Sequence, residues 1–238
     1  MSFSVIDSLK KTLLVRPHPA GIPFIIGGVV ATIILMALSE ALGTIALILT
    51  GFCIYFFRDP ERVTPQKASL VIAPADGLVS AITKGAALPG EIADGFSGDY
   101  TRISIFLSVL DVHVNRNAVS GKIINKVYKP GRFLNADLDK ASEENERCSL
   151  VVEMADGMKV GVVQIAGLIA RRILNDLDVG KIVTAGARFG IIRFGSRTDV
   201  YLPSNIPVLV CVGQKAVGGE TVLADLSGTE ATRTGAVV

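Results

Sequence analysis

The chain has 238 residues, with 24 basic and 22 acidic side chains and a formal net charge of +2. That balance provides no strong field for nucleic acid, and three scattered cysteines (Cys53, Cys148, Cys211) support neither a disulfide framework nor a zinc site. Half of the residues are hydrophobic and the mean hydropathy is +0.50, high for a purely soluble protein, with the excess concentrated near the N-terminus.

In chain order, residues 3–15 (FSVIDSLKKTLLV) suit a short amphipathic helix on a membrane surface. Residues 21–38 and 44–57 are uncharged, with Ser39, Glu40 and Gly43 in the break between them. The first run is near the lower length limit for a spanning helix and the second is short. Together they predict a helical hairpin that spans or dips into a bilayer, and residues 1–60 as a membrane-associated unit. The competing expectation is a hairpin buried in a globular core. Lys10, Lys11 and Arg16 precede the hairpin and Arg58 and Arg62 follow it, which puts both ends on the cytoplasmic side of the cell membrane. His18, between Pro17 and Pro19, fits the headgroup level.

Pro60 and Pro65 mark a linker, and residues 61–238 form the second predicted domain. Short β-branched runs at 69–74, 101–109, 121–129, 149–154, 159–166 and 207–213 alternate with glycine-rich turns. This spacing predicts a mainly β fold with a few helices (α+β), an antiparallel sandwich or barrel-like domain behind the hairpin. Apolar spacing predicts a helix over 168–177, and the polar stretch 131–147 reads as a long surface loop. Asp76-Gly77 precedes a strand, and 212–224 has the pattern of a glycine-bearing hairpin like that of biotinyl and lipoyl carrier domains. Lys215 lacks the flanking methionines of such carriers, so the carrier function is not supported.

The segment RFGSRTDVYLP (193–203) carries the chemistry. Glycine before serine removes the Cβ that hinders approach to a carbonyl and tolerates strained backbone. Ser196 Oγ, once a base takes its proton, can attack the Gly195 carbonyl and turn the amide into an ester. Elimination frees residues 1–195 and leaves dehydroalanine. Loss of ammonia then leaves a pyruvoyl group on residues 196–238. His113 is the sole histidine of the second domain and suits the base. Asp111 would share a face with it if the segment were a strand.

Together, Gly195-Ser196 with Arg197, Asp199, Tyr201 and Pro203, the segments APADG (73–77) and FLSVLDVHVNR (106–116), and the hairpin followed by RDPER (58–62) resemble the phosphatidylserine decarboxylases in their short, self-processing form. The resemblance spans nearly the whole chain. It implies a pyruvoyl cofactor made from Ser196; no metal is expected, since the sequence has no Cys/His cluster. It also implies a Schiff base with the serine headgroup of a membrane phospholipid, release of carbon dioxide, and formation of phosphatidylethanolamine. The large and small chains would stay associated, with a homo-oligomer left open. It assigns Asp76 as the acid orienting His113, in a triad with Ser196. Longer members carry Asp-x-His-x-x-His, whereas here the second histidine position is Arg116, which cannot act as a base but can bind a carboxylate or phosphate. Asp199 would pair with Arg197 or Arg193 at the surface, and Arg197 and the 131–147 loop would lie near the headgroup. An ether lipid could replace the ester lipid. The alternatives are a membrane-anchored scaffold or carrier-like β-sandwich without activity, and a pyruvoyl decarboxylase for a soluble amino acid, which would have little use for residues 21–57.

Overall fold

The computed structural model describes residues 15–94, 96, 98–131, 144–167, 172–193, 195–228 and 230–236. The amphipathic helix expected over 3–15, apart from its last residue, and most of the 131–147 loop lie outside them. The chain divides into two compact units, 1–61 and 62–238.

In the first unit, Pro19–Gly21 forms a single 3-10 turn and leads into helix α1 (Ile22–Leu38); Ser39, in extended backbone, reverses the chain into α2 (Glu40–Phe56). The ends of the hairpin meet where His18 N–H donates to the Phe57 carbonyl at 2.7 Å. Small residues line the seam, as they do where helices must approach closely without a hydrophobic driving force. A Cβ on Gly28 would sit 2.7 Å from Thr50 Oγ1, and the Thr32 and Thr50 hydroxyls are 3.1 Å apart. Outward, Ile33, Ile48, Leu38 and Leu49 are more than half exposed. Pro19–Leu38 is long and apolar enough to cross a membrane, and α2 is a shorter apolar helix. His18 Nδ1 accepts from Ala20 N–H at 3.2 Å and so caps the opening turn.

The second unit is mainly antiparallel β. Among its described residues, eight strands form one curled sheet, a half-barrel. The strands of the chain are β1 (Leu70–Ile72), β2 (Gly77–Ala86), β3 (Tyr100–Leu107), β4 (Val114–Arg116), β5 (Gly121–Lys129), β6 (Arg147–Glu153) and β7 (Lys159–Ala166). They continue with β8 (Ile173–Asn175), β9 (Ile182–Val183), β10 (Arg188–Ile192), β11 (Ser196–Pro203), β12 (Lys215–Ala216) and β13 (Val222–Asp225). The large sheet has the order β12-β2-β3-β11-β7-β6-β5-β9; β4-β10-β8 and β1-β13 form two smaller sheets.

Strand β11 sits at the centre of the large sheet and is buried on both faces. Val200 and Leu202 point into one core with Ile103, Ile105 and Val162, and Tyr201 into a second with Ile92, Tyr100 and Ile165. At the β11 start, Ala166 and Cys148 of the large sheet pack against Ile173 of β8 and Ile192 of β10, so the small sheet covers that end. Burial pushes the Cys148 thiol up to about 11.

Several expectations are corrected. Ile173–Asn175 is a strand paired with β10, not part of a helix over 168–177; its inward residue is held by tertiary pairing that overrides the helical periodicity. The 207–213 run makes only an isolated bridge, Val208 to Ala224. Val208, Leu209 and Val210 are buried in succession, so the run lacks the alternation of a ladder strand. The segment 212–224 closes a turn, with Thr221 N–H donating to Val217 O at 2.9 Å, yet β12 pairs with β2 and β13 with β1 rather than with each other. The end of the expected surface loop is interior: Asn145, Glu146 and Arg147 are buried. Arg147 and Ser149 instead anchor Glu91 of the 87–99 segment, with Arg147 Nε 2.5 Å from Glu91 Oε1.

Candidate active site

Ser196 opens β11, and sheet register gathers the other motif segments around it. It lies opposite Leu107 of β3 on one side and Ala166 of β7 on the other. Leu78 of β2 lies opposite Phe106, which lies opposite Arg197. Asp76, two residues before Leu78, therefore enters about two strand spacings from Ser196, roughly 10 Å. Gly77 permits this entry, because a Cβ there would collide with the Phe106 carbonyl. On the covering sheet, Arg116 N–H donates to Pro74 O at 2.8 Å, tying β4 to the same segment.

Gly195 has a φ of 61°, in the left-handed region, and a Cβ there would meet nothing within 4 Å. The requirement for glycine is therefore one of backbone conformation rather than space. Its carbonyl, one side of the Gly195–Ser196 bond, accepts from Gly167 N–H at 3.0 Å. Its own N–H donates to His113 Nε2 at 3.4 Å. His113 is fully buried, and its Nδ1 stands 3.0 Å from the Asp111 carbonyl oxygen. A carbonyl only accepts, so Nδ1 carries the proton and Nε2 presents its lone pair toward Gly195. Ser196 Oγ is fully buried and has no hydrogen-bond partner among the described residues.

Asp76 accepts from Gly218 N–H at 2.8 Å and pairs with Arg62 at 2.7 Å. Asp111 does not lie on a strand; residues 108–113 form a turn ahead of β4. Its carboxylate caps that turn, accepting from Ser108 N–H at 2.9 Å and from the Ser108 hydroxyl at 2.7 Å, with Lys215 at 3.3 Å. Burial pushes the Asp111 carboxyl up, but the Ser108 bonds and Lys215 together hold it below its ordinary value. It is the Asp111 backbone, not its side chain, that orients His113.

Arg116 is buried, with Nη1 donating to Gly186 O at 2.9 Å. Arg197 and Asp199 pair with each other, but in the interior rather than at a surface. Nη2 donates to Oδ2 at 2.9 Å, and Nε stands at 2.9 Å from Oδ1 in ion-pair contact outside hydrogen-bond geometry. Burial and the neighbouring charge of Arg172 hold Arg193 below its ordinary pKa, and Arg193 N–H donates to Arg172 O at 3.3 Å. This places positive charge on both segments flanking the Gly167–Gly195 contact. Sequence reasoning missed Gly167, whose contribution is a backbone N–H and leaves no mark on side-chain identity. It also missed the buried amides Asn115 and Gln164 and the half-buried Asn175, visible only as polar residues inside apolar runs.

The phosphatidylserine decarboxylase family model matches residues 49–224. The phosphatidylserine decarboxylase proenzyme of Granulibacter bethesdensis (strain ATCC BAA-1260 / CGDNIH1) is 53% identical over 224 residues, 94% of this chain and 91% of that protein. That of Cereibacter sphaeroides (strain ATCC 17025 / ATH 2.4.3) is 50% identical over 231 residues, 97% and 98% of the two chains. The class these matches define is a decarboxylase, a carboxy-lyase. Within that class the chain belongs to the phosphatidylserine decarboxylase family.

Proposed function

We propose that the chain decarboxylates phosphatidylserine to phosphatidylethanolamine through a pyruvoyl group that it makes from its own Ser196. The observation that carries this reading is the Gly195–Ser196 junction. A buried Ser196 hydroxyl, unpaired among the described residues, follows a carbonyl polarised by Gly167 N–H, beside a histidine whose lone-pair nitrogen faces the junction. Both relatives are named proenzymes, which supports a processed mature form.

Ser196 Oγ adds to the Gly195 carbonyl carbon as His113 Nε2 takes the hydroxyl proton. Gly167 N–H holds the oxygen where negative charge develops. The proton passes to the Ser196 nitrogen, the C–N bond breaks, and an ester remains. Removal of the Ser196 α-proton expels the Gly195 carboxylate, and hydrolysis of the resulting dehydroalanine releases ammonia. The pyruvoyl ketone supplies an electrophilic carbonyl that joins the substrate amine and takes up the electron pair left by departing carbon dioxide. Asp76, the acid that the family resemblance assigns to orient His113, is itself held by Gly218 N–H and Arg62. Arg172 and Arg193 supply positive charge for the phosphodiester.

The apolar hairpin supports attachment to the cell membrane, where the lipid headgroup lies at the interface. Positive charge on both flanks supports a cytoplasmic catalytic unit. Residues 1–60 act as the membrane-associated part and 61–238 as the catalytic part, and the two chains stay together after the break.

The intact mass of denatured protein tests this. Two chains, 1–195 and 196–238, are expected, the small one lighter by one ammonia than a serine-started peptide. Ser196→Ala is expected to stay a single chain and to release no carbon dioxide from phosphatidylserine. A wild-type chain that stays whole and inactive would overturn the proposal.

A further inference from the structure

A file of amides, half-buried at one end and fully buried at the other, passes the face of β11 that carries Ser196 and ends in a donor that nothing in the described structure uses. Leu177 N–H, which can only donate, reaches Asn175 Oδ1 at 3.0 Å. Asn175 Nδ2 therefore faces onward and donates to Gln164 Oε1 at 2.8 Å. Gln164 Nε2 in turn donates to Asn115 Oδ1 at 2.7 Å. The backbone N–H at one end fixes the direction of every amide in the file, removing the usual ambiguity between amide oxygen and nitrogen. Asn115 Nδ2 is what remains. It belongs to a residue with no exposed surface and has no partner among the described residues.

Two other orphaned atoms lie on the same face. Thr198 stands opposite Gln164 in the β11–β7 pair, and Ser196 is two residues before it, on the same side of β11. Thr198 Oγ1 and Ser196 Oγ are both buried and unpaired among the described residues. Burying a polar group without a partner is unfavourable, and valine would fill the Thr198 site as well. Several such atoms on the face that carries one nucleophile call for an explanation, and a polar ligand supplies one.

We infer that Asn115 Nδ2 and Thr198 Oγ1 form the seat of the substrate's carboxylate, the group lost as carbon dioxide; the inference rests on the decarboxylase reading above. A carboxylate offers two acceptor oxygens to two donors. In a serine phospholipid it is attached to the carbon that bears the reacting amine, so it must lie close to the carbon derived from Ser196. Both donors are neutral. A guanidinium in their place would stabilise the carboxylate in the ground state and oppose its loss. The arginines next to the two donors in sequence are engaged elsewhere: Arg116 Nη1 donates to the Gly186 carbonyl, and Arg197 pairs with Asp199. Asn115 and Thr198 therefore select a serine headgroup over an ethanolamine headgroup without holding the charge too tightly.

The test uses full-length protein in detergent after self-cleavage, with the ketone reduced to an alcohol by borohydride so that no turnover follows. Calorimetric affinities of short-chain phosphatidylserine and phosphatidylethanolamine are compared. Wild type is expected to favour the serine lipid by at least about tenfold. Thr198→Val is expected to bring the ratio near one while melting no lower than wild type, since its hydroxyl has no partner to lose. Asn115→Asp keeps the acceptor for Gln164 but replaces the donor with negative charge, and is expected to push the ratio below one. An unchanged ratio in both variants overturns the inference. So does a variant that melts like wild type yet fails to split at Gly195–Ser196, because its residue would then act on Ser196 rather than on the carboxylate. A wild-type chain that does not split overturns instead the pyruvoyl reading.

Discussion

Gly195 holds a left-handed conformation in open space. Alanine there meets no steric obstacle but must adopt a conformation costing roughly 1–2 kcal/mol for an L-residue. Gly195→Ala is therefore expected to relax the turn and slow the break, leaving a persistent full-length band over a time course. In a Ser196→Ala background the same change is expected to lower unfolding stability by about 1 kcal/mol, measured by denaturant titration. His113→Gln keeps a hydrogen-bonding side chain but removes a usable base. Self-cleavage is expected to slow by about 10²–10⁴-fold, followed by intact mass over hours. At this scale, Gly195, Ser196 and His113 stood out by residue type and Asp76 by the resemblance of its segment, and the fold brings His113 Nε2 to the Gly195 N–H. The role of Asp111 was not legible: spacing suggested its carboxylate, while the fold uses its carbonyl oxygen, and every residue has one of those.

Elements were legible where β-branched runs stand between glycine-rich turns. β5 and β7 occupy the spans that such runs predict, 121–129 and 159–166. The failures lie where tertiary neighbours decide. Ile173–Asn175 has helical spacing but is drafted into the small sheet, and Val208–Val210 is apolar throughout because it is wedged rather than laddered. The charged stretch before β6 reads as surface, yet Arg147 is used internally to hold Glu91. The Arg147 hydrogen bond first, helped by Ser149, outweighs burial and holds the Glu91 carboxyl down to about 2. An ordinary glutamate titrates near 4.3. The stabilisation is therefore present in full above that value and is lost as pH falls toward 2. Glu91→Gln is expected to melt below wild type at pH 6, with the gap closing between about pH 4 and 2, measured by thermal melts across that range. In the hairpin, Gly28→Leu would drive a side chain into Thr50. It is expected to loosen α1 from α2, read as faster proteolysis of the hairpin, with no change in self-cleavage.

For the whole molecule, composition announced an apolar helical N-terminal part and a β-rich remainder, because hydropathy and strand spacing are one-dimensional signals. Strand order is not. That β11 would lie between β3 and β7, with the junction at its first residue, depends on pairings separated by up to about a hundred residues, and no local pattern encodes them. The motifs indicated which segments belong together, and the register indicates how.

The position of β11 also bears on the life history of the protein. A break before Ser196 leaves a strand clamped on both sides by ladders from the other chain, so the fragments separate only if the sheet itself comes apart. Before the proposed break, folding is a one-molecule event whose rate ignores dilution. After it, recovery from denaturation would require two molecules to meet, and the short one would bring the central strand. Refolding of Ser196→Ala is expected to be independent of concentration, whereas the split protein is expected to recover less as it is diluted. Under the proposed cleavage, the uncut chain would hold the instructions for assembly and the cut would discard them: each molecule would be built once, then serve until it first unfolds.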